Sequence, residues 1–354
     1  MKRAVVLAFA ASLAAQESHF DVRSRLVLVP VTVTDLRGRS IDGLEASDFL
    51  LFDNDRPQKA TVDTIDTGVA PIALVVAVQT SGISAAVLEK VRKIGAMIQP
   101  LITGERGCAG VVSFDQRVLW IEDCTKDPDA LGRAFHQLQP VLRPGEDKDA
   151  RMLDAVQSSV EHLGRRPNAR RVLLLISESR DRGSETALDA AKAAVQTAGV
   201  TVYAATYSAI KTAFTSKLPV SRPRRPLKPK TPNDETGTVN GMPPGKNNPW
   251  PKHLPPEQQV DVLAGIGELA RLHQTNTTEV LTKSTGGTTF PFTRQKALEE
   301  AIGKLGAELH TQYVVSFVPE SSAPGYHTLE VRIARAGEFR IRARPGYWST
   351  EESR

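Results

Sequence analysis

The 354-residue chain is long enough for two ordinary domains, and its composition, 40% apolar and 24% charged, is typical of a globular protein. Its formal net charge of +5 does not indicate a nucleic-acid-binding protein. Eight basic residues lie between Lys217 and Pro256, and three acidic residues lie between Lys217 and Glu257. This short stretch therefore accounts for the entire positive net charge of the chain. The rest of the chain is near neutral and offers no basic face to phosphate groups.

The N-terminus has the pattern of a signal peptide over residues 1–15. A basic start, MKR, precedes an apolar run that ends at Leu13, and the small residues Ser12 and Ala14 suit a cleavage site. The run is too short to span a bilayer, and a buried N-terminal strand or helix is the alternative. No other stretch approaches about 20 apolar residues. We therefore predict an exported protein, periplasmic or extracellular, with no transmembrane segment in the mature chain.

Both ends of the chain alternate apolar and polar residues with a period of two, as β-strands do. The N-terminal β-segment, residues 16–68, contains LVLVPVTVTD and DFLLFDNDRPQKATVDTID. The C-terminal β-segment, residues 311–350, contains QYVVSFVPE, HTLEVRIA and EFRIRARPGYW. Neither segment has enough strands to close a core alone. We therefore predict that they pair in one small β-domain, with an α/β domain inserted between them.

Residues 69–310 alternate strands and helices. The runs IALVVAV and RRVLLLIS are typical of strands buried on both faces, and VTVYAATYS and GGTTFPF contain further strands. Apolar residues that recur every three or four positions indicate the helices: Val87, Val91, Ile94, Ile98 and Leu101; Leu131, Phe135 and Leu138; Leu153, Val156, Val160 and Leu163; Leu188, Ala191, Val195 and Ala198; Leu298, Ile302, Leu305 and Leu309. This pattern predicts a Rossmann-like α/β fold, with helices on both faces of a mostly parallel sheet.

A proline-rich insertion, residues 216–256, interrupts this pattern. Eleven prolines lie between Leu218 and Pro256, which predicts a disordered or polyproline-like segment. Its PxxP-like steps would suit an aromatic groove, and its basic charge would suit anionic envelope polymers; a plain solvated loop is the simpler alternative. Apolar spacing at Val262, Ile266 and Leu269 then predicts a further helix.

The two cysteines flank a predicted hairpin. With Asp115-Gln116-Arg117 as its loop, Phe114 faces Val118, and counting outward brings Cys108 opposite Cys124. Export permits oxidation, so we predict a disulfide between them. Two buried free thiols are the alternative.

Catalytic motifs are absent around the turn QTSGIS, which follows the first buried strand. No G-x-S-x-G surrounds Ser81, and the sequence has no phosphate loop, dinucleotide fingerprint or H-E-x-x-H. The seven histidines are scattered without metal-ligand spacing, as surface or packing residues would be. The sequence therefore predicts a protein that is not an enzyme. A hydrolase with an unrecognised Ser or carboxylate pair is the alternative.

The turn lies at the predicted carboxyl edge of the sheet, where open α/β folds bind ligands. Here the stretch resembles a von Willebrand factor type A domain. The segments LVLVPVTVTDLRGRSIDGLEASDFLLFDND, STGGTTF, QYVVSFVPE, GYHTLEVRI and RARPGYW more narrowly resemble the exported von Willebrand A-related proteins of Acidobacteria. The resemblance implies a Mg²⁺ site made of D-x-S-x-S, a Thr and an Asp, whose open position accepts a carboxylate from a partner protein.

This sequence keeps one of those five ligands and replaces one conservatively. The first Asp of the motif falls on Gln79, its first Ser on Ser81, its second Ser on Ile83 next to Ser84, its Thr on Ala150 next to Asp147 and Asp149, and its last Asp on Glu178. Mg²⁺ requires oxygen ligands at about 2.1 Å in octahedral geometry. We therefore predict a degenerate site with no cofactor, at which Gln79 and Ser81 hydrogen-bond the neighbouring loops.

These observations predict an exported binding protein that contacts a partner protein or an envelope component. We expect its contacts at sheet-edge loops that carry Gln79, Ser81, Ser84, Asp149 and Glu178. Three alternatives stay open: cation-dependent adhesion through Ser81, Glu178 and Asp149; a structural subunit of an envelope assembly; and the hydrolase.

Overall fold

The computed structural model describes residues 26–63, 70–83, 85–140, 149–166, 169–207, 276–320 and 323–349. The predicted signal peptide, the proline-rich insertion, the helix predicted at Val262–Leu269, and Ser84 lie outside the described residues.

Fourteen strands and seven α-helices lie in the described ranges. The N-terminal part contains β1 (Val27–Thr34), β2 (Phe49–Asp53), β3 (Arg56–Gln58) and β4 (Thr61–Asp63). The middle contains β5 (Ile72–Gln79), α1 (Ala85–Lys93), α2 (Gly95–Ile98), β6 (Cys108–Phe114), β7 (Val118–Thr125), α3 (Pro128–Gln137), α4 (Met152–Gly164), β8 (Arg170–Ser177), α5 (Leu188–Thr197), β9 (Thr201–Thr206), α6 (Thr277–Thr285), β10 (Thr289–Pro291) and α7 (Gln295–Thr311). The C-terminal part contains β11 (Tyr313–Phe317), β12 (Gly325–Ile333), β13 (Arg340–Arg342) and β14 (Gly346–Ser349).

The central α/β unit, β5 through α7, is a six-stranded sheet in the order β10-β9-β8-β5-β6-β7. All its strands are parallel except β7, which is antiparallel to β6. One apolar cluster joins the sheet to α1, α2, α3 and α7, and a second joins its other face to α4, α5 and α6. Every residue of β5 is buried, because helices cover both faces of this central strand. The predicted α/β fold, with a mostly parallel sheet, is confirmed.

The terminal β-unit consists of β1–β4 and β11–β14, from opposite ends of the chain. These strands form two four-stranded sheets, β13-β1-β11-β4 and β14-β12-β2-β3, that bury one common core. The pairing of β1 with β11, which sets Val29 opposite Val315, joins the two ends directly. The predicted pairing of the end segments is thus confirmed, while the boundaries at residues 68 and 311 stay a prediction.

A polar cluster lies inside the terminal β-unit. His327 Nδ1 lies 3.0 Å from Asp53 Oδ1, and the Tyr347 hydroxyl donates to Asp53 Oδ2 at 2.9 Å. His327 Nε2 lies 2.8 Å from the backbone oxygen of Ala323. Because each member of this buried group has a hydrogen-bond partner, His327 has the packing role predicted for the histidines.

Two elements differ from the sequence prediction. The helix predicted through Leu101 is broken into α1, α2 and a π turn at Gln99–Thr103, and Leu101 is 36% exposed instead of buried. Pro100 has no N–H to continue the α-helix, and the wider turn closes from Gly104 N to Gln99 O at 2.8 Å.

The predicted last strand is also divided, into β13 and β14 in different sheets. Pro345 between them has no N–H for a sheet ladder. The preceding Arg344 is 7% exposed, and its guanidinium donates to the oxygens of Gly346 at 2.9 Å and Gln196 at 2.7 Å.

The predicted hairpin and its disulfide are present, but the register is not the one obtained by simple counting. Phe114 faces Val118 as predicted, whereas two register shifts in β7 bring Ala109 opposite Thr125. Each shift adds one residue on β7. Cys108 and Cys124 nevertheless form a disulfide, with 5.2 Å between their Cα atoms.

Arg342 and Arg344 connect the two units at the amino edge of the central sheet, where the parallel strands begin. Arg342 donates to Gly286 after α6 at 2.6 Å, and Arg344 donates to Gln196 of α5 at 2.7 Å. Within the central unit, Arg170 donates to Leu309 of α7 at 2.8 Å, so all three side chains bind carbonyl groups at helix ends. A cation at the C-terminus of a helix is stabilised by the partial negative charge of the helix.

No helix in the described part of the chain is both long enough and apolar enough to cross a membrane.

Replacing both cysteines by serine (Cys108→Ser/Cys124→Ser) should lower the free energy of unfolding by about 3 kcal/mol, since the bond closes a short loop in the unfolded chain. Urea unfolding of the oxidised native chain and the variant measures this. Reduction of the native chain is the matched control and should give the same loss. An unchanged midpoint in both would contradict the prediction.

Candidate functional site

The candidate site lies at the carboxyl edge of the central sheet, where β5 and β8 end side by side. The strand order reverses between these two strands, and open α/β sheets bind ligands at such a point. Three segments meet there: the turn after β5, residues 149–151 before α4, and the loop at 178–187 after β8.

Gln79 connects the first and third of these segments. Its side chain is fully buried; Nε2 donates to the Ser81 oxygen at 2.8 Å, and Oε1 accepts from the Glu178 amide at 3.0 Å. One end of the amide therefore holds the turn that follows Gln79, and the other end holds the neighbouring loop after β8, a contact of the kind that the sequence predicted.

Ser81 connects the turn to the segment before α4. Its hydroxyl donates to the backbone oxygen of Asp149. Ile83, two residues further, is 7% exposed and belongs to the apolar cluster beneath α1. The hydroxyl of Ser81 is thus used inside the protein, and Ile83 serves the core.

The segment before α4 pairs with the third loop. Ala150 and Arg182 exchange two backbone hydrogen bonds, of 2.8 and 3.0 Å. Gly183 follows with a φ of +84°, and a Cβ at this position would lie 3.2 Å from the Asp149 carboxyl carbon. Glycine is favoured there both by the positive φ and by the close approach of Asp149.

Glu178 has a cationic partner that the sequence reasoning missed. Arg182 Nη2 lies 3.0 Å from Glu178 Oε2, and the two side chains are 25% and 18% exposed. The buried hydroxyl of Tyr207 has no hydrogen-bond partner among the described residues. Its burial, together with the negative charge of Glu178, raises the pKa of Tyr207, although Arg182 opposes this. The only sequence signal for the ion pair was the charged loop ESRDR, which has no periodicity.

The third loop is also fastened to the N-terminus of α4. Asp181 Oδ1 accepts from the Leu153 amide at 3.0 Å, and Ser184 Oγ accepts from the same amide at 3.1 Å. Asp154 in turn accepts from the Thr186 amide at 2.9 Å. These contacts satisfy free N–H groups in the first turn of the helix.

Burial would raise the pKa of Asp154, but other interactions outweigh it. Hydrogen bonds from Thr186 and Glu185, together with the charge of Arg151, hold the pKa of the Asp154 carboxyl below its usual range. The charged form of Asp154 is therefore favoured at the point where its side chain binds the loop after β8.

The structure brings Gln79, Ser81, Asp149 and Glu178 together through these hydrogen bonds. Their donor set does not fit Mg²⁺: the Gln79 oxygen is occupied, Ile83 and Ala150 supply no side-chain oxygen, and Glu178 is paired with an arginine. Across the described ranges, no group of three or more His, Cys, Asp or Glu side chains could hold a metal ion.

No family model matches the chain, and no curated protein matches it. Solved structures are similar to it. BatB of Bacteroides thetaiotaomicron is 14% identical, over 67% of this chain and 99% of that one, with a TM-score of 0.40. A von Willebrand factor type A protein of Catenulispora acidiphila is 10% identical, over 86% and 74%, with a TM-score of 0.43. The vWF domain of the type V pili tip protein Mfa5 of Porphyromonas gingivalis is 16% identical, over 31% and 38%, with a TM-score of 0.27. At these identities each likeness concerns the fold alone.

Gln79→Ala should lower the free energy of unfolding by about 2–4 kcal/mol, because it removes both hydrogen bonds of a fully buried amide that joins the turn after β5 to the loop after β8. Urea unfolding measures the change. The control is Gln137→Ala on the exposed end of α3, which should change the free energy by less than about 0.5 kcal/mol. Equal effects of the two variants would contradict the bridging role of Gln79.

Stability should depend on the ionisation of Asp154. Its pKa is lowered on folding, so the carboxylate stabilises the fold above its unfolded pKa of about 4. This contribution is lost as the pH falls from that value through the lower, folded pKa. Asp154→Asn should therefore reduce the slope of unfolding free energy against pH between about pH 5 and pH 3, whereas Gln137→Ala, which removes no ionisable group, should not. Identical slopes for Asp154→Asn and the native chain would refute this.

Proposed function

We propose that this chain is an exported, non-enzymatic binding protein whose loops at the carboxyl edge of the central sheet contact a partner protein or an envelope component. The ion pair between Glu178 and Arg182 is the observation that carries the proposal. In this pair, Arg182 places a positive charge next to the Glu178 carboxylate. Glu178 stands at the position of the last Asp among the metal ligands of the motif that this sequence resembles.

The loops at this edge are held in place by the chain's own groups. Gln79, Ser81 and the backbone pairing of Ala150 with Arg182 connect all three segments. A surface that is ordered before binding loses little conformational entropy when a partner docks. This supports contact with a partner that does not depend on a metal ion, at a degenerate metal site.

Export is part of the proposal. It rests on the signal-peptide pattern of residues 1–15 and agrees with the Cys108–Cys124 disulfide, since such bonds persist in oxidising compartments. The likeness of the end segments to exported von Willebrand A-related proteins of Acidobacteria points the same way. The proposed boundaries of the α/β domain are residues 69 and 310.

Calorimetric titration of the mature chain with Mg²⁺ and Mn²⁺ should show no saturable binding at millimolar concentrations, because the oxygen set is incomplete and Arg182 repels a cation. The matched variant is Asp149→Ala/Glu178→Ala. Saturable binding by the native chain that this variant lacks would overturn metal independence and favour cation-dependent adhesion.

Capture of cross-linked partners from an envelope fraction tests the surface itself. Asp149→Ala and Glu178→Ala should each reduce capture several-fold, and chelator should have no effect. Glu105→Ala, exposed at the opposite edge of the sheet, is the control and should bind like the native chain. If all three variants capture the same partner equally, the carboxyl edge is the wrong surface. If the chain is instead a structural subunit of an envelope assembly, we expect it to capture other components of that assembly through a different face.

A further inference from the structure

A cavity of about 260 Å³ lies at the amino edge of the central sheet, between the central α/β unit and the terminal β-unit. The start of β1, the end of α5, the start of β8 and the strand β14 form its walls. Among the residues that line it are Leu26, Arg171, Gln196, Arg344, Tyr347 and Trp348. It is at the opposite edge from the proposed partner surface and does not depend on that proposal.

Two guanidinium groups of the cavity wall have only neutral hydrogen-bond acceptors. Arg344 donates to the oxygens of Gly346 and Gln196, and Arg171 donates to those of Arg166 at 3.2 Å and Ala198 at 2.5 Å. Neither arginine forms an ion pair with a carboxylate in the described part of the chain. Among the residues that the structure describes, no acidic side chain lines the cavity.

The end of α5 compensates only part of this positive charge. Arg171 and Arg344 both donate to its final carbonyl groups, and a helix C-terminus carries about half of one negative charge. About 1.5 positive charges in this partly enclosed site therefore lack a counter-charge from the described residues. Burial disfavours these cations: it lowers the pKa of Arg171, and that of Arg344 to about 10. Unpaired buried charge is costly, so an anion in the cavity would stabilise the protein.

The wall also contains polar residues such as Gln196 and Ser349, together with apolar and aromatic side chains. Leu26 is 55% exposed at the rim and Trp348 is 38% exposed, while the ring of Tyr347 lies 5.9 Å from the Arg344 guanidinium carbon. The volume is slightly below the roughly 300 Å³ at which pockets for drug-sized ligands begin. These dimensions suit a ligand with one charged group and a few carbon atoms.

We propose that this cavity binds a small organic anion, whose carboxylate or phosphate group is received by Arg171 and Arg344 and whose short apolar body packs against Leu26 and Trp348. A guanidinium group offers parallel N–H donors that match the oxygens of a carboxylate or phosphate. The site is independent of any metal ion.

Calorimetric titration of the mature chain with hexanoate and hexyl phosphate tests the proposal. At least one of the two anions should bind saturably, with a Kd of about 1 mM or lower. The anion that binds more tightly shows whether the cavity prefers a carboxylate or a phosphate. Inorganic phosphate, which lacks the apolar body, should bind more weakly. Hexyltrimethylammonium, with the opposite charge, should not bind. No saturable heat from either hexyl anion at about 10 mM, or equal binding of the cation, would overturn the proposal.

Variants locate the site. Arg171→Gln should weaken the better anion about tenfold or more, since it removes a charge-assisted hydrogen bond, and Arg171→Lys should weaken it less. Arg117→Gln, exposed at the opposite edge of the sheet, is the control and should leave the Kd unchanged. Unfolding midpoints of all three variants show whether each one folds.

A second pair of variants leaves the arginines intact. Leu26→Glu supplies a carboxylate at the rim and should abolish binding, whereas Leu26→Lys supplies a cation there and should bind the anion more tightly than Leu26→Glu does. Because Leu26 is more than half exposed, both changes should be tolerated by the fold. Equal affinities of Leu26→Glu and Leu26→Lys would refute the site, as would native affinity in Arg171→Gln.

Discussion

Arginine side chains that donate to carbonyl groups at the ends of α5 and α6 join the two halves of this protein. They are Arg342 and Arg344 of the C-terminal segment, while Arg170, at the start of a central strand, donates to the end of α7 within the central unit. The helices end at the amino edge of the sheet, so their partial negative charges collect where the terminal β-unit docks. Within the described residues, this contact covers the amino edge of the sheet and does not reach the carboxyl edge.

The two edges differ in how their charges are compensated. At the carboxyl edge Glu178 is paired with Arg182, and carboxylates such as Asp154 and Asp181 accept from backbone amides. At the amino edge Arg171 and Arg344 depend on a single helix terminus. The charged groups of the carboxyl edge are therefore compensated by groups of the chain, whereas the described residues of the amino edge have an excess of positive charge. The proposed partner surface at one edge and the proposed small-anion site at the other both rest on this difference.

Most of the fold could be predicted because apolar periodicity is a local property. The central strands, the helices from α3 to α5 and the hairpin that carries the disulfide follow from it. The pairing of the two ends was predicted by counting strands, since neither segment could close a core alone. The errors arose where backbone chemistry changed the register. Pro100 widened a helix turn, Pro345 divided a strand, and bulges in β7 displaced its residues along β6.

At the candidate site the sequence by itself determined which groups are present: an amide at Gln79, an apolar side chain at Ile83 and a longer carboxylate at Glu178. Only the tertiary structure decided what those groups do. It brought Arg182 to Glu178 and set Arg171 and Arg344, from distant segments, on the same helix end. Periodicity places a residue on a face of its own element, but contacts between loops and between units depend on how the elements are arranged in space.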